Sequence, residues 1–183
     1  ITWWIPGSDV HAEVDEYVTI GGYRYVCTGW TGTGSVPGSG DVNEVEFAIW
    51  ENSTITWEWS NLLRMIISNP GGHDAPEPPE GTYWYQYGDT VSGEVTENPS
   101  GDYACIGYVG TGSAPSSSPQ SDFSFVIYEP SSITWRWAPL DSVARLIVTS
   151  DYDSPHPYGT TYWYIGSEVN AYVDSAVTVD TTY

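Results

Sequence analysis

The sequence predicts an all-β protein built from tandem β-grasp-like or sandwich-like modules of about 78 residues. Three observations predict this fold: alternating apolar residues, turns rich in Gly and Pro, and one register that recurs along the chain. Val45, Phe47 and Ile49 alternate with Glu46 and Ala48, which is the period of a half-buried strand. Sustained 3.6-residue periodicity is absent, so the sequence predicts strands and turns rather than helices.

The repeat is clearest where YRYVCTGWTGTGSVPGSG (23–40) aligns with GDYACIGYVGTGSAPSSS (101–118), with an offset of 101 − 23 = 78 residues. The same offset relates STITWEWSN (53–61) to SSITWRWAP (131–139). A register held over this length indicates tandem copies of one structural unit.

The two Trp-bearing strands supply the predicted aromatic core. Large aromatic side chains compensate for the small size of a module, because each buries about 150–250 Å² of surface. The predicted core residues are Trp57, Trp59, Trp135 and Trp137.

The order of motifs divides the chain into one complete and two partial modules. Residues 1–60 form a partial module without its aliphatic strand, 61–139 a complete module, and 140–183 a partial module with a donor-strand tail. The first module lacks a strand such as RLIVTS (145–150). We therefore expect open half-sheets at both ends, which are templates for strands of another molecule.

Charge excludes several classes of partner. The chain has 24 Asp and Glu against four Arg, at 24, 64, 136 and 145, and its net charge is −20. A basic face for nucleic acid or for an anionic membrane surface cannot be built from four scattered cations. An apolar stretch of about 18 residues is also missing, so no membrane insertion is predicted. Copies of the chain repel one another, so self-association must depend on apolar burial and backbone pairing.

The composition is typical of extracellular or cell-surface proteins, being rich in Gly, Ser, Thr, Tyr and Trp with almost no cations. The chain starts at Ile1 without a basic-then-apolar leader, which suggests a processed secreted product or a piece of a longer protein. The triplet NST (52–54) makes Asn52 a candidate glycosylation site.

The sequence predicts no enzyme and no cofactor. A GxSxG elbow is absent, and the acidic residues alternate on outward strand faces. His11, His73 and His156 have no recognised metal-ligand spacing and are interpreted as solvated loop residues, with weak Ca²⁺ binding through SDYDSP (150–155) as an alternative. Cys27 and Cys105 occupy equivalent positions in successive modules and are expected to be free, buried thiols.

The aromatic clusters YWYQY (83–87) and YWYI (162–165) have two interpretations. They are either covered by neighbouring protein or exposed as platforms on which sugar rings stack. Under the second interpretation Trp84 and Trp163 bind polysaccharide.

The order of motifs resembles the internalin-B-type B repeats of bacterial surface and secreted proteins. The matching segments are YQYGDTV (85–91), Gly29-Trp30 and the strand from Ser53 to Trp59, within one full and two partial copies that span nearly the whole chain. This resemblance implies a small β-rich module used as a stalk or spacer, without catalytic residues. Gly107-Tyr108 departs from the Gly-Trp pattern, and the closing strand is unusually rich in Trp.

From these observations we expect an extracellular filament subunit, a homopolymer joined head to tail by β-strand complementation. A carbohydrate-binding module, or a spacer excerpted from a larger surface adhesin, is the alternative. The tail segment SEVNAYVDSAVTV (167–179) is the first candidate for the donated strand. The residues predicted to exchange are Ile1, Trp3, Trp4, Val169, Val173, Val177 and Val179.

Overall fold

The computed structural model describes residues 2–97, 101–152 and 155–173. The predicted all-β class is confirmed: within these ranges the chain forms strands and one 3-10 turn (Leu140–Ser142), with no α-helix. The strands are β1 (Ser8–Glu13), β2 (Tyr17–Ile20), β3 (Tyr23–Thr33), β4 (Ser39–Gly40), β5 (Glu44–Ile49), β6 (Thr54–Ser68), β7 (Gly81–Tyr85), β8 (Thr90–Glu94), β9 (Tyr103–Thr111), β10 (Ser117–Ser118), β11 (Asp122–Val126), β12 (Ser131–Pro139), β13 (Val143–Val148) and β14 (Gly159–Tyr164).

The chain divides into two compact units, residues 1–64 and 65–183. The boundary falls inside the long strand β6. Residues 140–183, which the sequence suggests as a separate partial module, are grouped with the second unit.

The first unit packs the antiparallel pair β1–β5 against a sheet in which β3 pairs with β2, β4 and β6. Alternation along each strand places one apolar set between the two layers. This core consists of Trp30, Val36 and Val45, with Ala12, Phe47, Ile55 and Trp57 packed against them.

The second unit packs the pair β8–β11 against β9 and β12, which are antiparallel partners. Its centre is aromatic: the Trp135 ring lies 5.6 Å from Tyr108 and 5.8 Å from Phe123, centroid to centroid. These separations are typical of favourable aromatic pairs. The pair β13–β14 adds a small cluster in which Val143 and Tyr162 contact Ala104 and Ala138.

Both units have a glycine bulge at the same place in the repeat. Gly29 (φ 136°) and Gly107 (φ 96°) adopt positive φ, and a Cβ on either would collide with a backbone carbonyl, of Gly40 and of Ser118 respectively. Only glycine tolerates both constraints. The fixed offset of the sequence repeat therefore reproduces a fixed backbone irregularity.

A pair of serines fixes the turn before each Trp-bearing strand. Ser35 Oγ accepts hydrogen bonds from the N–H groups of Trp50 (2.8 Å) and Glu51 (3.2 Å), while Ser53 Oγ accepts one from the Ser35 N–H (2.9 Å). The same bonds recur 78 residues later, because 113 − 35 = 78, among Ser113, Tyr128, Glu129 and Ser131.

Candidate assembly edge

Strand β12 is paired on both sides. Residues Ser132–Pro139 pair with β9 in antiparallel orientation. On the other side, Ser131–Thr134 pair in parallel orientation with Met65–Ser68 of β6. The backbone groups on both edges of this part of β12 are therefore used.

The equivalent part of β6 is paired differently. Subtracting 78 from 131–134 gives 53–56, and residues 54–63 of β6 pair with β3 in the antiparallel manner expected. In the part of the chain that the structure describes, no parallel strand lies beside residues 54–56. We call these three residues the open edge, because half of their backbone groups face away from β3 and remain available for pairing.

Exposed aromatic side chains accompany the open edge within the first unit. Trp3 is 87% exposed and Trp50 is 70% exposed, and Trp4 and Ile5 are also exposed. Trp3, Trp4, Trp50 and Ser53 line a cleft of about 430 Å³. Apolar surface concentrated in this way is typical of a site that another protein covers.

The exposure of Trp3 has a structural reason. The Gly7 N–H donates to Ile49 O (2.6 Å), as the Gly88 N–H donates to Ile127 O (2.8 Å), so residues 2–5 correspond to β7. Strand β7 pairs with β6, and Trp84 within it is half-buried. Residues 2–5 lie in no strand.

Strand β13 corresponds to the strand that completes the second unit. Arg24 pairs with Leu62, and 78 residues later the Leu140 N–H donates to Asp102 O (2.9 Å). The same offset relates Met65 to Val143, the first residue of β13. Within the described ranges β14 is the strand partner of β13, and Ile147 is 55% exposed.

The prediction that Trp59 belongs to the core is wrong, since its side chain is 40% exposed. Its counterpart Trp137 is half-buried, because its Nε1–H donates to Asn69 Oδ1 (2.6 Å) and its ring meets His73 edge-on at 5.7 Å. Both partners lie in the loop after the aliphatic part of β6. No described residue of the first unit stands in the place of that loop. Trp135 is buried and Trp57 is half-buried.

Several residues predicted to exchange are on the surface or outside the described ranges. Trp3, Trp4, Val169 and Val173 are exposed, and neither valine lies in a strand. The predictions for Ile1, Val177 and Val179 fall outside the described residues, as does most of the predicted donor segment beyond residue 173.

The predicted sugar-stacking residues lie in different surroundings. Trp163 lines a cleft of about 430 Å³ in the second unit, and Trp84 is not among the residues that line it. Asn52, the candidate glycosylation site, is exposed two residues before β6 begins.

The prediction of a solvated loop histidine is wrong for His73, whose ring stacks on Tyr103 with centroids 3.7 Å apart. His11 is exposed but lies in β1 rather than in a loop. Its Nδ1 is 3.3 Å from Glu46 Oε1, and His11, Glu13 and Glu44 bring possible ligand atoms within 4.8 Å of one another. The sequence did not reveal this grouping because it depends on the β1–β5 register.

The two thiols are free and differ in burial, Cys105 being buried and Cys27 half-buried. Burial raises the pKa of the Cys105 thiol to about 11. Burial likewise raises the pKa of Tyr85 and Tyr108, and that of Tyr158 to about 12. These groups therefore stay protonated at neutral pH.

The segment SDYDSP, the alternative Ca²⁺ site, is described only in part, since residues 153 and 154 lie outside the described ranges. Within the described ranges, the structure has no helix of the length and apolarity needed to cross a membrane. Comparison of the chain with protein-family models, with curated proteins and with solved structures gave no match. Its function is therefore inferred from residues and geometry alone.

Proposed function

We propose that the chain is a non-enzymatic, extracellular structural protein whose copies assemble head to tail by β-strand complementation. The observation that carries the proposal is the contrast between two equivalent strands. Ser131–Thr134 have a parallel partner strand, whereas the open edge (residues 54–56) has none in the described part of the chain.

The proposed donor is β13 of a second copy. Its sequence position corresponds to Met65, which occupies the equivalent place in the second unit, and the edge away from β14 is where β12 meets β6. Docking would reproduce between molecules a parallel pairing that the chain already forms within itself. The contact is heterologous, so it propagates as a fibre instead of closing as a dimer.

Charge favours this mode of association over ion pairing. With a net charge of −20, two copies repel each other, and the free energy of association must come from backbone hydrogen bonds and from covering apolar groups such as Trp3, Trp50 and Ile147. We expect fibres to lengthen when salt is raised toward about 0.15 M, because salt screens the repulsion.

The absence of catalysis in this proposal is supported by the titratable groups. The resolved pKa shifts, at three tyrosines and Cys105, all go upward, which leaves weak nucleophiles rather than activated ones.

Sedimentation velocity of the intact chain over a range of concentrations tests the proposal. We expect polymers whose mass rises with concentration. The donor substitution Ile147→Asp should require at least tenfold more protein for the same mass, because it places a carboxylate in the new interface. The matched control is Tyr152→Asp, which adds the same charge at an exposed residue outside β13.

A monodisperse monomer of the parent chain at every concentration would contradict assembly and favour a spacer module. If Val169→Asp and Val173→Asp block polymers while Ile147→Asp does not, the donor is the tail segment predicted from the sequence and not β13.

A further inference from the structure

The second unit contains a cleft of about 430 Å³, well away in sequence from the open edge. This volume lies within the range of about 300–1,000 Å³ found for small-ligand sites. The residues that matter for its chemistry are Gln120, Asp122, Tyr158, Trp163, Asn170 and Tyr172.

Gln120 is the first indication of a ligand. Its side chain is in a residue only 8% exposed, and its Nε2–H donates to Tyr158 O at 3.0 Å. Its Oε1 has no hydrogen-bond partner among the described residues. An unsatisfied buried acceptor costs about 1–3 kcal/mol, so a glutamine kept here calls for a donor from outside the fold.

The walls of the cleft supply flat rings held in place. The Trp163 Nε1–H donates to Thr161 Oγ1 at 2.8 Å, which fixes the indole. Tyr172 lies 5.2 Å from the His156 ring, and their backbones form a β-bridge. Fixed aromatic faces next to amide groups provide apolar contact and hydrogen bonds together.

The polar groups favour an uncharged ligand with hydroxyls. The Tyr158 hydroxyl donates to Asp122 Oδ2, and the phenol remains protonated because burial raises its pKa to about 12. No Arg or Lys lines the cleft. The Asp122 carboxylate and the strongly negative chain therefore disfavour anions.

We propose that this cleft binds a neutral saccharide, with its ring against Trp163 or Tyr172 and a hydroxyl donating to Gln120. The saccharide hydroxyl would satisfy the acceptor that the fold leaves unpaired. At the equivalent position of the first unit, 120 − 78 = 42, the residue is the exposed Val42, which cannot accept such a bond. The site therefore belongs to the second unit alone and does not follow from the repeat.

Affinity electrophoresis of the intact chain in gels containing neutral polysaccharides tests this site, with cellulose-, xylan-, mannan- and glucan-derived polymers as probes. We expect retardation by at least one of them. Trp163→Ala and Gln120→Leu should each weaken binding at least tenfold, measured by titration calorimetry with the matching hexasaccharide.

The matched control is Trp50→Ala, which removes an exposed Trp of the first unit and should leave binding unchanged. Because Trp163→Ala alters a half-buried ring, Tyr172→Ala serves as a second variant at an exposed position. Absence of retardation by every neutral polymer would overturn the proposal, as would binding that is lost in Trp50→Ala and retained in all three cleft variants. Retardation by acidic polysaccharides alone would also overturn it. Strand complementation is unaffected by either result, since the fibre test uses other residues.

Discussion

The two units share their local construction but differ in how completely their cores are covered. Both have the glycine bulge and the pair of serines at matching positions. In the second unit, Trp135 is 1% exposed and β12 has the parallel strand Met65–Ser68 beside it. In the first unit, Trp57 is half-buried and Trp59 exposed. The comparison shows that the aliphatic strand and its following loop complete the core that the repeated strands begin.

The largest expected effect concerns the tryptophans at the centre of each unit. Trp135→Ala should lower the free energy of unfolding of the second unit by about 3–5 kcal/mol, because it empties a fully buried aromatic site. Trp57→Ala should cost the first unit only about 1–3 kcal/mol, since part of that side chain already contacts solvent. Urea unfolding monitored by residue-resolved hydrogen exchange measures the two units separately. Equal losses would mean that the first core is as complete as the second.

The next effect is the alkaline dependence of stability. The folded-state pKa of Cys105 is raised to about 11 from an ordinary value of 9.0, so its contribution to stability is present below pH 9 and is lost as pH rises toward 11. The second unit should lose about 2–3 kcal/mol over this window, and Cys105→Ala should lose correspondingly less. Denaturant unfolding at pH 8 and at pH 11 makes the comparison.

Cys27→Ala is the control for this prediction, because Cys27 is the equivalent but less buried thiol. A thiol reagent should also modify Cys27 before Cys105 in the folded chain at pH 8. If the two alanine variants show the same alkaline loss, burial does not distinguish the thiols.

The smallest expected effect tests where the units are alike. Ser113→Ala removes the acceptor for two backbone N–H groups and should destabilise the second unit by about 1–2 kcal/mol. Ser35→Ala should cost the first unit a similar amount, because its bonds are the same. Thermal unfolding of both variants measures this, and a loss confined to Ser113→Ala would show that the first turn is held by other contacts.

Much of the fold follows from the sequence because strands and glycine bulges depend on local patterns. The alternation of Val45, Phe47 and Ile49 predicts β5, and the constant offset places Gly29 and Gly107 at matching bulges. The parallel pairing of β12 with β6 was not predictable, because it joins segments more than 60 residues apart that carry no signal of mutual register.

The exposure of Trp59 was missed for a related reason. Its environment depends on whether a loop containing Asn69 and His73 covers it, and the identical motif at Trp137 gives no information about that loop. The saccharide cleft was found only in part, since Trp163 stands in an aromatic cluster but Gln120 lies in a loop without periodicity.

The central claim is that the open edge (residues 54–56) is completed by a strand from another copy. Hydrogen exchange of backbone amides, measured at dilute and at polymer-forming concentrations, tests it most directly. We expect the outward-facing amides of residues 54–56 and the amides of β13 to become protected together as concentration rises, while those of Ser131–Thr134 are protected throughout. Protection that is independent of concentration at the open edge, or that rises there without any change in β13, would contradict this account.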